Sequence, residues 1–181
     1  MADGDDRFRE VHDRFYRHVY TYCRRRTGAD SVEDAVAETF LVVWRKWDQI
    51  PAGDHALPWL YGVAYRVLAN QRRSAVRRGR LAGKVIGLGM SSSLPEDVVI
   101  LDQDHRQALA AFGALGASEQ EILRLTFWEE LPQPDLALAL GVTIAAARQR
   151  LYEAKRRLTD EYNRLETRAI RSPSARKGDG S

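Results

Sequence analysis

Apolar residues recur at steps of three and four along most of this chain. Phe8, Val11, Phe15, Val19 and Tyr22 make the first stripe, a spacing that places them on one face of an amphipathic helix ending near Gly28. Val32, Val36, Phe40, Val43 and Trp47 make the second. Asp30 is the predicted N-cap of that helix, and Glu33, three residues on, gives the register of a capping box. Its opposite side carries Asp34, Glu38, Leu41 and Arg45, a line of charge around one apolar residue. Such a line is ordinarily a solvated face. A third helix is predicted from Leu57-Pro58, where proline is tolerated in the first turn, through Trp59, Leu60, Val63, Ala64, Val67 and Leu68 into a series of arginines. An apolar start and a basic end suit a helix with one end in a core and the other at a polyanion.

The second half repeats the helical period. Residues 108–115 and 118–128 predict two helices, the latter opened by Ser118 with Glu121 in capping-box register. A short helix follows over 134–140, then Gly141, then Thr143 as the predicted N-cap of a long last helix. Ala147, Leu151, Ala154, Leu158 and Leu165 form its inner stripe, and Ala145, Arg148, Gln149, Tyr152 and Arg156 its outer face. Short helix, glycine turn and second helix is the sequence form of a helix-turn-helix, whose second helix enters the major groove. Small side chains at Ala145 and Ala146 allow close approach to base edges. Arginine and glutamine, as at Arg148 and Gln149, make bidentate contacts to guanine and adenine. An ordinary amphipathic hairpin with a solvated face has the same pattern.

The fold class expected is all-α. Between the two groups of helices, Gly87-Leu-Gly89-Met-Ser91-Ser92-Ser93-Leu-Pro95 has the composition of a flexible linker. The predicted organisation is therefore a first helical domain over 1–81, an acidic linker over 82–101, a helix-turn-helix domain over 102–165 and a disordered tail over 166–181. No internal repeat is visible.

Charge sharpens this division. The net charge of +3 is too small to name a partner, but it is the remainder of opposed blocks. Residues 27–58 hold six acids against Arg45 and Lys46; residues 60–84 hold six arginines and Lys84 with no acid. A second basic block, Arg148, Arg150, Lys155, Arg156 and Arg157, lies on the predicted recognition helix. Both basic blocks suit a polyanion.

Composition also excludes. No run approaches the roughly 20 apolar residues of a membrane span, and the acidic opening over residues 3–6 lacks the order of a secretory signal. The expectation is a cytoplasmic protein that engages no membrane. With Cys23 as the only cysteine and four scattered histidines, no disulfide or metal-ligand spacing exists, and neither metal nor cofactor is expected.

Two separated stretches resemble one family, the extracytoplasmic-function (ECF) group of bacterial sigma factors within the sigma-70 family. Val32-Glu33-Asp34-Ala35-Val36-Ala37-Glu38-Thr39-Phe40-Leu41-Val42-Val43-Trp44 is similar to the family's core-binding helix, Glu-Asp-x-x-Gln-Glu-x-Phe-x-x-x-Trp. Trp59-Leu60-Tyr61-Gly62-Val63-Ala64-Tyr65-Arg66 through Arg73 resembles its Trp-Leu-x-x-Ile-Ala-x-Asn segment and the arginines that follow. Gly141 to Leu151 with Ala154-Lys155-Arg156 resembles its C-terminal helix-turn-helix. Ala37 stands where the family has glutamine, Arg66 where it has asparagine, and Ala145-Ala146-Ala147 where its recognition helix opens Gly-Thr-Val.

The resemblance implies a transcription initiation factor that binds RNA polymerase core and directs it to promoters. Its partners would be the clamp helices of the largest subunit, the flap of the second-largest subunit, and promoter DNA, with an anti-sigma factor as a further candidate and no small-molecule substrate. Asp34, Glu38, Leu41 and Arg45 would then contact polymerase, with Trp44 either behind them or in the core. The loop from Asp48 to Ala56 would capture a flipped base of the melted minus-ten element. Tyr61 and Tyr65, one turn apart, are candidates to stack on exposed bases and equally fit core positions. Arg66, Arg72, Arg73, Arg77 and Arg78 would contact phosphates. Thr143, Ala145, Ala146, Arg148, Gln149 and Arg150 would meet the minus-thirty-five duplex, with Lys155 and Arg156 at its backbone. Arg148 and Gln149 are the expected sequence readers.

Two other readings of the sequence remain open. A helix-turn-helix regulator acting without polymerase has no need of the 34–44 helix or of the basic third helix. An enzyme would need a site: Gly79-Arg-Leu-Ala-Gly83-Lys84-Val85 is one residue short of a phosphate-binding loop and has Val85 where Ser or Thr should meet magnesium. His12, His18, His55 and His105 have no nucleophile at recognisable spacing, so no catalytic residue is assigned.

Overall fold

The computed structural model describes residues 2–81 and 103–171, and every regular element among them is helical. The first group is α1 (Ala2–Arg24), α2 (Val32–Arg45) and α3 (Ala56–Leu81). The second is α4 (Gln103–Ala114), α5 (Ala117–Phe127), α6 (Gln133–Leu140) and α7 (Ile144–Arg171). None of these helices is long and apolar enough to cross a membrane. The expected linker over 82–101 lies outside the described residues, as does the Gly83–Val85 part of the loop-like motif.

The predicted stripes form the core. Phe15, Val19 and Tyr22 of α1, Val32, Val36, Phe40 and Val43 of α2, and Leu60, Val63, Ala64 and Leu68 of α3 are buried together. Ala147, Leu151 and Ala154 of α7 pack with Ile122, Leu123 and Leu125 of α5 and Leu136 of α6. Gly141 closes α6 with φ +65°, a left-handed position glycine adopts without a Cβ penalty. Its N–H donates to the Leu138 carbonyl at 3.1 Å and that of Val142 to Ala137 at 3.0 Å. This double bond pattern turns the chain into α7, where the Thr143 hydroxyl accepts the Ala146 N–H at 3.2 Å as the predicted cap.

Several local expectations are corrected. A 3₁₀ turn, Ala29–Ser31, precedes α2, so Ser31 and not Asp30 is the N-cap, and it makes no side-chain cap bond. Trp47 continues the α2 stripe by period, but α2 stops at Arg45 and a second 3₁₀ turn, Trp47–Gln49, rotates the indole outward to 38% exposure. α5 is capped two residues earlier than expected: Gly116, not Ser118, is the N-cap, and its N–H donates to Glu119 at 2.8 Å. Glu121, expected at that cap, is buried instead. Finally, α7 continues past Leu165 to Arg171, so residues 166–171 are helical and not a disordered tail.

The two groups of helices touch. α6 lies along α3, and the apolar cluster is continuous from Val19 and Leu60 to Ile122 and Leu136.

Candidate polymerase and nucleic-acid interfaces

On α2, Asp34, Leu41 and Arg45 face solvent, and Leu41 is 54% exposed. Glu38 is half-buried and accepts a hydrogen bond from Gln71 Nε2 of α3 at 2.7 Å. Trp44 is exposed, its ring set edge-on to Phe8 at 5.0 Å. Tyr16 stacks on Phe40 with centroids 6.0 Å apart and is also exposed. Together Tyr16, Leu41, Trp44 and Trp47 give this face far more apolar surface than the charged line alone suggested. A solvated helix face has no such excess, whereas aromatic surface is what protein interfaces enrich. Tyr16 was legible as an aromatic off its helix stripe; Trp47 was not, because its outward turn depends on where α2 stops.

The basic end of α3 divides its arginines. Arg66, Arg73, Arg77 and Arg78 are exposed, while Arg72 is half-buried and donates to the Arg26 carbonyl at 2.8 Å. Arg73 leans on Asn70 and Arg77 on Ser74, at 3.3 and 3.4 Å, which leaves most of each guanidinium's donors to solvent. Tyr61 sits differently from what base stacking requires. It is 4% exposed and stacked on Tyr22 at 4.8 Å. Tyr65 is half-buried, and burial pushes its phenol above the usual range.

The loop before α3 is pinned at one end and open at the other. Ile50 is buried, and Arg7 donates to its carbonyl at 2.6 Å. Beyond it Gly53 takes φ +62°, Asp54 pairs with Arg14 at 3.0 Å, and His55 meets Asp135 of α6 at 2.7 Å. Asp54 and His55 are thus the exposed polar side chains at the loop's far end.

At the start of α7, Thr143, Ala145, Arg148, Gln149 and Arg150 are exposed and Ala146 half-buried. Gln149 Nε2 donates to Glu153 at 2.8 Å, so its amide is oriented with the oxygen free. Ile144, 45% exposed beside the cap, adds an apolar contact suited to a thymine methyl. Arg156 is exposed, and Lys155 lies over the Phe127 ring at 5.2 Å. Behind α7 is an apolar groove of about 470 Å³ lined by Leu109, Phe112, Leu123, Phe127, Trp128 and Leu158.

The sequence matches Sigma-70 region 2 over residues 11–78 and Sigma-70, region 4 over residues 105–158. It is 30% identical over 158 residues to the ECF RNA polymerase sigma factor SigL of Mycobacterium tuberculosis, covering 83% of this chain and 85% of the relative. The chain belongs to the ECF group of the sigma-70 family. This sigma factor is also 26% identical to the RNA polymerase sigma factor NccH of Alcaligenes xylosoxydans xylosoxydans, over 71% of each chain. Its fold resembles that of the sigma factor RpoE solved with the anti-sigma factor NepR from Bartonella quintana. The TM-score is 0.63 at 21% identity, over 86% of this chain and 96% of that one. A second likeness is to CnrH solved with the cytosolic domain of CnrY, with a TM-score of 0.53 at 18% identity, over 84% and 85% of the two chains. The all-α fold in two groups of helices is that of the family, whose members serve transcription initiation.

Proposed function

We propose that this sigma factor joins core RNA polymerase through the exposed face of α2 and directs it to promoters with two separate DNA-reading surfaces. Residues 1–81 would bind polymerase and the melted minus-ten strand, and residues 102–165 the minus-thirty-five duplex, with 82–101 as the connection. The single observation that carries this is the exposed line Asp34, Leu41 and Arg45 flanked by Trp44 and Tyr16. A regulator that acted on duplex DNA alone would leave that surface without a partner.

Each contact has a chemistry. Asp34, Glu38 and Arg45 give charge complementarity around the apolar anchor Leu41, the arrangement of an interface core and rim. Arg73, Arg77 and Arg78, all exposed, neutralise phosphates. Arg72, held by the Arg26 carbonyl, contributes less. Tyr65 and His55, which keep exposed surface, are better candidates to meet a flipped base than the buried Tyr61. On α7, Arg148 reads guanine; Gln149, with its nitrogen held by Glu153, offers its oxygen to a base donor. Arg150, Lys155 and Arg156 position the helix on the backbone, and Ala145 and Ala146 let it approach. The groove behind α7 suits the flap of the second-largest subunit, through an apolar segment that fills it between Phe127 and Leu109. Anti-sigma factors accompany the RpoE and CnrH relatives, and one that covers the same surfaces is a proposed regulator. None of these roles asks the chain for a catalytic residue or a cofactor, and polymerase and promoter are cytoplasmic partners.

The test is association. The purified chain is expected to form a complex with core polymerase in gel filtration and to bind promoter duplex only weakly without it. Tight, specific duplex binding with no complex would favour the regulator acting alone.

A further inference from the structure

Three side-by-side positions on α1 engage the loop that joins α2 to α3. Gly4, in the first turn, is buried under the Trp47 indole. A Cβ there would stand 3.0 Å from two ring carbons, tighter than ordinary van der Waals contact. One turn on, Arg7 Nη2 donates to the Ile50 carbonyl at 2.6 Å. Two turns further, Arg14 Nη2 donates to Asp54 Oδ1 at 3.0 Å. Arg7 and Arg14 share a helix face by their spacing, and the acids nearest Arg7 are engaged elsewhere: Asp5 and Asp6 pair with Arg9 at 3.2 and 3.4 Å.

The loop's own backbone bonds do not fix its middle. Among the described residues they stay inside its two 3₁₀ turns, with Gln49 and Ile50 donating to Lys46 and Trp47, and Ala56 to Gly53. Pro51, between the turns, has no N–H to donate. Nor is that middle packed flat on α1. An open cleft of about 510 Å³ separates them, with Arg7, Val11 and Arg14 on one side and Pro51, Ala52 and Gly53 on the other. The segment is therefore suspended between two guanidinium ties. Gly4 and Arg7 lie before residues 11–78, the part of the chain that matches region 2.

We infer that α1 is the template of the minus-ten loop: Arg7, seconded by Gly4 and Arg14, holds residues 47–54 in the shape that receives the flipped base, and so sets which base is accepted. This rests on the assignment of the 48–56 loop to a flipped base. Arg7 is a positioning residue, acting through the loop. A loop already in its bound shape spends none of its binding energy on ordering, and it discriminates between bases only while that shape is kept. The two ties differ in weight. Arg7 makes a short, charge-assisted bond to the carbonyl of a buried residue, whereas the Arg14–Asp54 pair lies in solvent and is weakened by screening. Arg14 mainly offsets a carboxylate that would otherwise repel the DNA strand.

Arg7→Ala in the full chain tests this, since alanine keeps α1 helical and circular dichroism checks the fold. In the free chain, the Gln49 and Ile50 amides of the variant are expected to exchange about fivefold faster by NMR, as a local opening would allow. With core polymerase, binding is compared on promoters that differ by one base in the minus-ten element. A mismatched base ordinarily costs at least about fivefold in affinity. At the position the loop reads, that ratio is expected to fall below about twofold in Arg7→Ala, through loss at the preferred base alone. Arg7→Lys keeps the charge and a donor and is expected to fall between the two. A control, Pro51→Gly with Ala52→Gly and Asp54→Gly, alters the loop itself.

Three results would overturn the template: unchanged exchange at Gln49 and Ile50; unchanged base preference in Arg7→Ala where the loop control changes it; or a loss equal on every promoter with a salt slope lower by about one, the mark of a phosphate contact. A loop control that leaves every minus-ten preference intact would instead contradict the assignment of the loop to a flipped base, and the exchange rates would still decide whether α1 holds it.

Discussion

Gln71 of α3 donates to Glu38 of α2 at 2.7 Å, so one member of the proposed polymerase surface is also tied into helix packing. Its neighbour Asp34, one turn earlier, makes no such bond and lies in solvent. The two carboxylates therefore separate by experiment. Asp34→Arg is expected to weaken core binding with an unchanged melting temperature. Glu38→Arg is expected to weaken core binding and to cost about 1 kcal/mol of stability through the lost hydrogen bond. A stability loss from Asp34→Arg with intact core binding would return that residue to a structural role.

On DNA, Arg148 and Arg77 are expected to fail differently. Arg148→Ala removes a base contact worth about 1–3 kcal/mol and relaxes the preference at one minus-thirty-five position. Arg77→Ala weakens binding alike for all promoters and lowers the slope of log affinity against log salt by about one. Holoenzyme titrations on matched and mismatched promoters at several salt concentrations distinguish the two.

The cap of α7 sets the angle at which that helix meets DNA. Thr143→Ala removes the hydroxyl that accepts the Ala146 N–H. The expected cost is about 1 kcal/mol, or a drop of about 2–4 °C in melting temperature. Thr143→Ser retains the acceptor and is expected to restore the value.

Alkaline pH gives a further check. Burial pushes the Cys23 thiol from 9.0 up to about 12, and raises the Tyr22 and Tyr61 phenols above 10.0. Each raised group keeps its proton longer in the folded chain than in the unfolded one. Their contribution is therefore whole below about pH 9 and is lost as pH rises, first through Cys23 and then through the tyrosines. Thermal midpoints are expected to start falling near pH 9, and in Cys23→Ala nearer pH 10. Identical onsets would place Cys23 in contact with water.

Helices, their faces and the helix-turn-helix were legible because each rests on a local period or a local cap. The Thr143 cap and the Gly141 turn involve partners within a few residues, and both are where the pattern put them. Glu121 shows what was not legible. Its position three residues after Ser118 suggested a cap, but Arg26, 95 residues earlier in the chain, holds it in the interior. Nor does the run Arg24-Arg25-Arg26 mark which arginine is buried, since all three suit the end of a helix. Tyr61 is balanced between core and surface by its sequence position, and it stacks on Tyr22, 39 residues earlier in the chain. Trp47 was misplaced because periodicity cannot see where a helix stops. For Glu121 and Arg26 the deciding contact is tertiary, whereas the exposed positions of Asp34, Arg73 and Arg148 follow from local helix geometry alone.

The most direct test of the whole account is to map transcript starts from a promoter library with core polymerase, with and without this chain. The account predicts a discrete set of new starts, sharing two upstream sequence blocks, that disappear with Asp34→Arg and shift in preference with Arg148→Ala. A start pattern identical to that of core alone would contradict it.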